Sequence, residues 1–356
     1  MIGVIALHVD DMCLGRNKEF ETRVLTPFNS KYPFKHWHKF KGMLLGKQFE
    51  QQSNYDIHVQ QTEYAQTIQG VKLSIERKKQ RDENTNDDEK KQMRAVLGAI
   101  NWLVTGSRPD LAAACSLLQQ RVMSSVVSDM LDVNRLVSQV HDLSELTIKI
   151  KSIPTENVCF MAISDAAWAN APGLFSQAGF MIAAMDKRIM KNTWGEFSLL
   201  RWKSFKQDRR TPSTLGAELI APSRSLAEGR WMRSMWLEAN YHDYTLGENT
   251  KWESQVPMCA IVDNKPLYDH AKSVNSNNIK DKRHAIEMLI VKEDLRIHNI
   301  QIRWVATFQM LGDILTKRGV SVDLLLKVLN WGMFTIIEDK SIRPKNQQGV
   351  RENYFG

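Results

Sequence analysis

The segment VCFMAISDAAWAN, residues 158–170, decides how this chain is read. Its apolar first half reads as a strand, and an aspartate, Asp165, stands directly after that run. Two further strand-like runs follow, AGFMIAAM at 178–185 and SLLRWKS at 198–204. Beyond them the pattern predicts a long helix over about 214–239, a strand MCAIV at 258–262 and a helix across about 281–298. A strand IQIRWVA at 300–306 and a final helix from about 310 complete the series. Three consecutive strands followed by helix–strand alternation predict an α/β unit, with a mixed sheet and helices on its faces.

Upstream, VIALHV at 4–9 reads as a strand, VDD as the tip of a hairpin carrying Asp10 and Asp11, and GRN at 15–17 as a turn. Residues 18–30 read as a helix, GMLLGKQFEQQ and YDIHVQQ as two strands, and TEYAQTIQ as a short helix. The almost wholly polar stretch 77–91 reads as a solvated linker. Two helices are expected within 89–123, with Pro109 in the first turn of the second, and more helix over 128–145. Val96, Ile100 and Leu103 recur at helical spacing, and the region carries no clustered acids, so it reads as scaffold. The expected units are 1–76, 77–145, 146–325 and a tail, 326–356.

The composition, 43% hydrophobic and 25% charged over 356 residues, is that of an ordinary globular chain. No apolar run approaches the roughly 20 residues a membrane helix needs, and the N-terminus lacks a signal-peptide layout. The expectation is an intracellular protein, cytoplasmic or nuclear, not secreted and without a membrane partner. A net charge of +8 suits a polyanionic partner. Cys13, Cys115, Cys159 and Cys259 are scattered, so neither a zinc site nor a disulfide framework is indicated.

Four acids fall at expected element ends: Asp165 after the first strand, Glu218 early in the long helix, Asp263 at the end of the fourth strand, and Asp313 opening the last helix. If the first and fourth strands are neighbours, Asp165 and Asp263 meet, and helix starts can supply Glu218 and Asp313. Four converging carboxylates repel unless cations bridge them, and hard oxygen donors suit Mg²⁺ or Mn²⁺. Two such ions about 4 Å apart would serve phosphodiester displacement. The same positions also suit ordinary capping acids.

The text around these acids resembles the ribonuclease H domain of copia-type retrotransposon Pol polyproteins. SDAAWAN, SQAGFMI, LRWKSFKQ, STLGAELIA, VDNKP, KRHAIEMLIVKED and LGDILTK occur in one collinear order. TEYAQTI at 62–68 and AVLGAINWLVTGSRPDLAAACSLLQQ at 95–120 resemble the connecting region, and ALHVDDMCLG with FKGMLLGKQF the end of the reverse transcriptase. The implied fold is a ribonuclease H-like mixed sheet with flanking helices, preceded by a truncated α+β palm remnant and a helical connecting region. The implied activity is cleavage of the RNA strand of an RNA/DNA hybrid by Asp165, Glu218, Asp263 and Asp313 with two Mg²⁺ or Mn²⁺ ions. Other Pol or Gag products of the same element are admitted as partners. Gln309 matches a polar position that orients backbone or substrate, and Lys203 and Lys206 fall where basic groups would meet phosphates. Trp168 and Trp202 read as packing residues, and His284, inside an expected helix, as structural.

Two positions depart from the family pattern. Ala167 replaces a second acid, and no histidine lies in the segment just before Asp313. The resemblance assigns Asp10 and Asp11 to the polymerase hairpin, with His8 in place of a tyrosine. With seven residues before His8, polymerisation by this chain alone is expected to be absent. An alternative reading is a catalytically inactive nucleic-acid-binding relic of a decayed retroelement.

Overall fold

The run from Val158 to Ile163 lacks polar alternation because both sides of its strand are covered. In the computed structural model, which describes residues 3–9, 11–33, 37–246, 249–273 and 279–337, this run begins β7 (Val158–Ala171), the centre of a six-stranded sheet. β7 pairs antiparallel with β8 (Phe175–Asp186), and β8 pairs antiparallel with β9 (Gly195–Lys206). On its other edge β7 runs parallel to β10 (Met258–Val262), which runs parallel to β11 (Ile300–Trp304). The order β11-β10-β7-β8-β9, with a meander on one side and crossover strands on the other, makes this a ribonuclease H-like mixed α/β sheet. A short strand, β12 (Met333–Phe334), adds to β9.

Alternate residues of β7 enter two cores. Val158, Phe160 and Ala162 pack with α7 (Thr214–Asn240) and α10 (Lys282–Ile297) through Leu219, Leu226, Met288 and Val291. Cys159, Met161 and Ile163 face the other way, into a core shared with the upstream helices. Those are α4 (Asp87–Gly106), α5 (Ala112–Gln119) and α6 (Val127–Asp142). Leu97, Ile100, Leu118 and Val133 belong to this second core, so the region read as scaffold supplies the cover for one face of the sheet. Burial raises the thiols of Cys115 and Cys259 to about 12 and raises that of Cys159 too; Cys13, on the first hairpin, is exposed.

The N-terminal part builds smaller sheets. β1 (Gly3–His8) and β2 (Asp11–Arg16) form the expected hairpin, and His8 lies opposite Asp11. Asp10 lies outside the described residues. GMLLGKQFEQQ, read as one strand, is a hairpin of β3 (Lys41–Leu44) and β4 (Lys47–Gln51), since Gly46 has a positive φ of 66° and turns the chain. β5 (Ile57–Gln60) and β6 (Ile148–Ile150) complete that sheet, joining segments nearly ninety residues apart. Arg108, buried between α4 and α5, pairs with Asp110 and donates to the carbonyls of Gln139 and Val140 at the end of α6. The polar stretch 77–91 is largely exposed, as expected, but starts and ends in helix. Arg77 binds Glu89 at 2.8 Å, and Asn86 and Glu89 form a capping box at the start of α4.

The end of the chain differs from expectation. Instead of one helix from about 310, Leu311–Leu315 form a tight 3₁₀ turn, and a helix follows only at α11 (Asp323–Trp331). Gly319, with a φ of 74°, stands between them. The expected tail begins inside α11 and continues through β12 in the main sheet; residues 338–356 lie outside the described residues. No described helix is long and apolar enough to cross a membrane.

Candidate metal centre

Asp165 lies within β7, not after it, because the strand continues to Ala171. It faces Gly179 across β8, and Gly179 faces Ser204 across β9, so these three share a face of the sheet. The turn 311–315 lies over that face at close range. A Cβ on Gly312 would sit 2.9 Å from Asp165 Cβ, and one on Gly179 would sit 2.4 Å from Leu315 Cβ. Asp165 is 1% exposed. Thr316 Oγ1 donates to its Oδ2, whereas its buried Oδ1 has no hydrogen-bond partner.

Glu218 sits in the second turn of α7, whose N-terminus is fixed by Ser213 accepting from Gly216 N–H at 3.2 Å. Four residues on, Pro222 has no N–H to give the Glu218 carbonyl. Asp263 follows β10 directly; Trp304 Nε1 donates to its carbonyl at 2.8 Å, and Thr307 Oγ1 lies 3.5 Å from its Oδ2. Carboxylate oxygens of Asp165, Glu218 and Asp263 lie within 4.8 Å of one another. The parallel pairing of β7 with β10 brings the two aspartates together, and the packing of α7 across β7 adds the glutamate.

Asp313 does not join that group. It lies in the 311–315 turn, 8% exposed, and accepts from Lys317 Nζ. The same Nζ is 3.8 Å from Asp165 Oδ2, so Lys317 links Asp313 to the other acids.

Burial governs the charge states. It pushes the Asp165 carboxyl up to about 7, with Lys317 and Thr316 opposing the rise and Asp263 and Asp313 adding to it. Glu218 is raised well above its ordinary value by burial, then by Asp165 and Asp263. Asp263 is raised by burial and by Asp313. For Lys317 burial works downward, but the carboxylates of Asp165 and Asp313 outweigh it and hold the ammonium above its usual value. An unpartnered buried oxygen among three crowded hard donors fits a divalent cation.

The other expected residues are distributed around this centre. Gln309 is buried, and its Oε1 accepts from Ile337 N–H at 3.0 Å, holding the backbone that follows β12. Lys206 is exposed, shares the face of Ser204 and Asp165, and lies 4.6 Å over the Phe175 ring. Lys203, three residues earlier, is exposed on the opposite face. Trp202 donates to the Val104 carbonyl from the α4-side core, while Trp168 is 47% exposed and donates to the Thr211 carbonyl. His284 fills the space that a side chain on Gly216 would take, beside the start of α7.

Sequence reasoning missed Thr316 and Lys317, although LGDILTK contains both. It also missed a buried polar network behind the site. Gln177 Nε2 donates to Ser204 Oγ and to Ser116 Oγ of α5, and Ser204 donates to the Leu315 carbonyl at 2.5 Å. Asn170 donates to the Thr316 carbonyl at 2.8 Å. The upstream helices thus reach the turn that carries Asp313.

No family model matches the chain. Among solved structures, it is similar to a foamy viral protease-reverse transcriptase in complex with RNA/DNA hybrid, at 12% identity and a TM-score of 0.47, over 89% of this chain and 37% of that one. The chain therefore spans little more than a third of that structure's length. It is also similar to a ribonuclease H isolated from compost by a metagenomic approach, at 14% identity and a TM-score of 0.30, over 44% of this chain and 92% of that one. An N-terminal ribonuclease H domain from Mycobacterium tuberculosis matches at 12% identity and a TM-score of 0.28, over 49% of this chain and 97% of that one.

Proposed function

We propose that this chain is a divalent-cation-dependent ribonuclease H of copia-type retroelement origin, hydrolysing the RNA strand of RNA/DNA hybrids. The observation that carries this reading is the convergence of Asp165, Glu218 and Asp263 within 4.8 Å, with Asp165 Oδ1 left unpartnered. When bound, Mg²⁺ or Mn²⁺ supplies charge for activating water and stabilising the leaving oxygen. In this reading the chain's own residues prepare the place. Asp165, Glu218 and Asp263 hold the ion or ions, and Thr316 fixes the Asp165 carboxylate by donating to Oδ2. Asp313 contributes charge from the turn, and Lys206 offers a cation to the phosphate backbone from the face that carries Asp165.

The test is cleavage of an end-labelled RNA/DNA hybrid with Mg²⁺ or Mn²⁺. Cleavage is expected in the wild type, with a drop of at least about 100-fold in Asp263→Asn, the scale of losing charge stabilisation in an active site. Salt-sensitive hybrid binding with no cleavage under either metal would overturn it in favour of the inactive nucleic-acid-binding relic.

A further inference from the structure

The nuclease reading expects two cations among four carboxylates, yet the four acids are not equivalent. Three of them form a closed group, and the fourth, Asp313, is engaged by an ammonium of the same chain. Lys317 is four residues from Asp313, one turn along, so the contact is built into the local geometry. Its Nζ also reaches toward Asp165, 3.8 Å from the oxygen that Thr316 already occupies. The free oxygen of Asp165, Oδ1, is the one left for an ion. Lys317 therefore lies between Asp313 and Asp165, where an ion shared by those two carboxylates would sit. An ammonium there cancels one carboxylate charge and repels a second divalent ion placed beside it. The Lys317 side chain is 38% exposed, so it has room to swing out when a polyanion approaches.

We propose that Lys317 is a resident stand-in for the second cation. The free protein then holds one divalent ion tightly, in the group Asp165, Glu218 and Asp263. A second ion enters at Asp313 only when Lys317 is displaced. This rests on the cation-dependent reading above and adds to it an assignment of which acids bind the ion of the free protein.

Mn²⁺ binding to the full chain without nucleic acid, followed by electron paramagnetic resonance of the free ion, tests it. The expected result is one tight Mn²⁺ per wild-type chain. Lys317→Met is expected to bind a second, at least about tenfold more tightly than the wild type does. Asp313→Asn is expected to keep the first ion within about twofold, whereas Asp263→Asn loses it. Two tight ions in the wild type overturn the inference and leave the nuclease reading standing, and this arm needs no variant to fold. An unchanged ion count in a folded Lys317→Met, checked by circular dichroism, overturns it equally. Lys317→Arg, which keeps the charge, is expected to retain the single-ion behaviour, and a second tight ion there also overturns it. No bound Mn²⁺ in the wild type overturns the cation-dependent reading itself, and this inference with it.

Discussion

Single side chains in this molecule carry charge where water is scarce, and their partners decide what that costs. Arg108 and Asp110 are the clearest case outside the candidate site, with side chains 1% and 3% exposed. Removing one partner of such a pair leaves an uncompensated buried charge, at about 3–5 kcal/mol. Asp110→Asn is therefore expected to lower stability by about that amount in urea titration, and a change under 1 kcal/mol would refute the assignment. Asp165, by contrast, keeps one buried carboxylate oxygen, Oδ1, with no hydrogen-bond partner. At this scale much of the site was legible. Asp165, Glu218 and Asp263 were expected together from the order of strands and helices and from the family resemblance, although Asp165 lies within β7 and not at its end. Lys317 could also have been, because a Lys four residues after an Asp is a recognisable pair. Thr316 could not, since its bond to Asp165 joins residues 151 positions apart and no local pattern announces it.

Elements place these side chains by approaching one another closely. The turn 311–315 reaches the sheet because Gly179 and Gly312 present no Cβ where Leu315 and Asp165 lie. Gly179→Ala would put a methyl 2.4 Å from Leu315 Cβ, which is not the yielding end of a long side chain. The expected cost is about 1–3 kcal/mol, with a loss of hybrid cleavage as Asp313 and Thr316 shift. Unchanged melting and activity in Gly179→Ala would argue that the turn is free to ride over the sheet. The strand and helix order was readable from hydrophobic runs, and the long helix was placed to within a residue of its observed end. The last helix was misplaced because Leu311, Ile314 and Leu315 give a helical spacing, but the turn they form is pinned to β7 and β8. A 3₁₀ turn satisfies the same short apolar pattern.

Across the whole molecule, the unbroken apolar run of β7 already implied cover on both faces. What supplied the second cover was hidden, because α4, α5 and α6 precede the sheet in sequence and nothing local ties them to it. Cys159, Met161 and Met181 are fully buried against that side. A fragment of residues 146–337 is accordingly expected to expose this face, bind the dye ANS and aggregate, while the full chain melts in one transition. A soluble fragment with a sharp melt and no dye binding would show that the sheet stands without the helices. The packing of the thiols has a practical consequence of another kind. Three of the four cysteines, Cys115, Cys159 and Cys259, are sealed in the core between the sheet and the upstream helices, and only Cys13 meets solvent. A maleimide reagent applied to the native, unaltered chain should mark one position alone, on the hairpin strand that begins at Asp11. That gives a fluorophore a defined address from which energy transfer to a labelled hybrid can report how near the hairpin comes to bound nucleic acid.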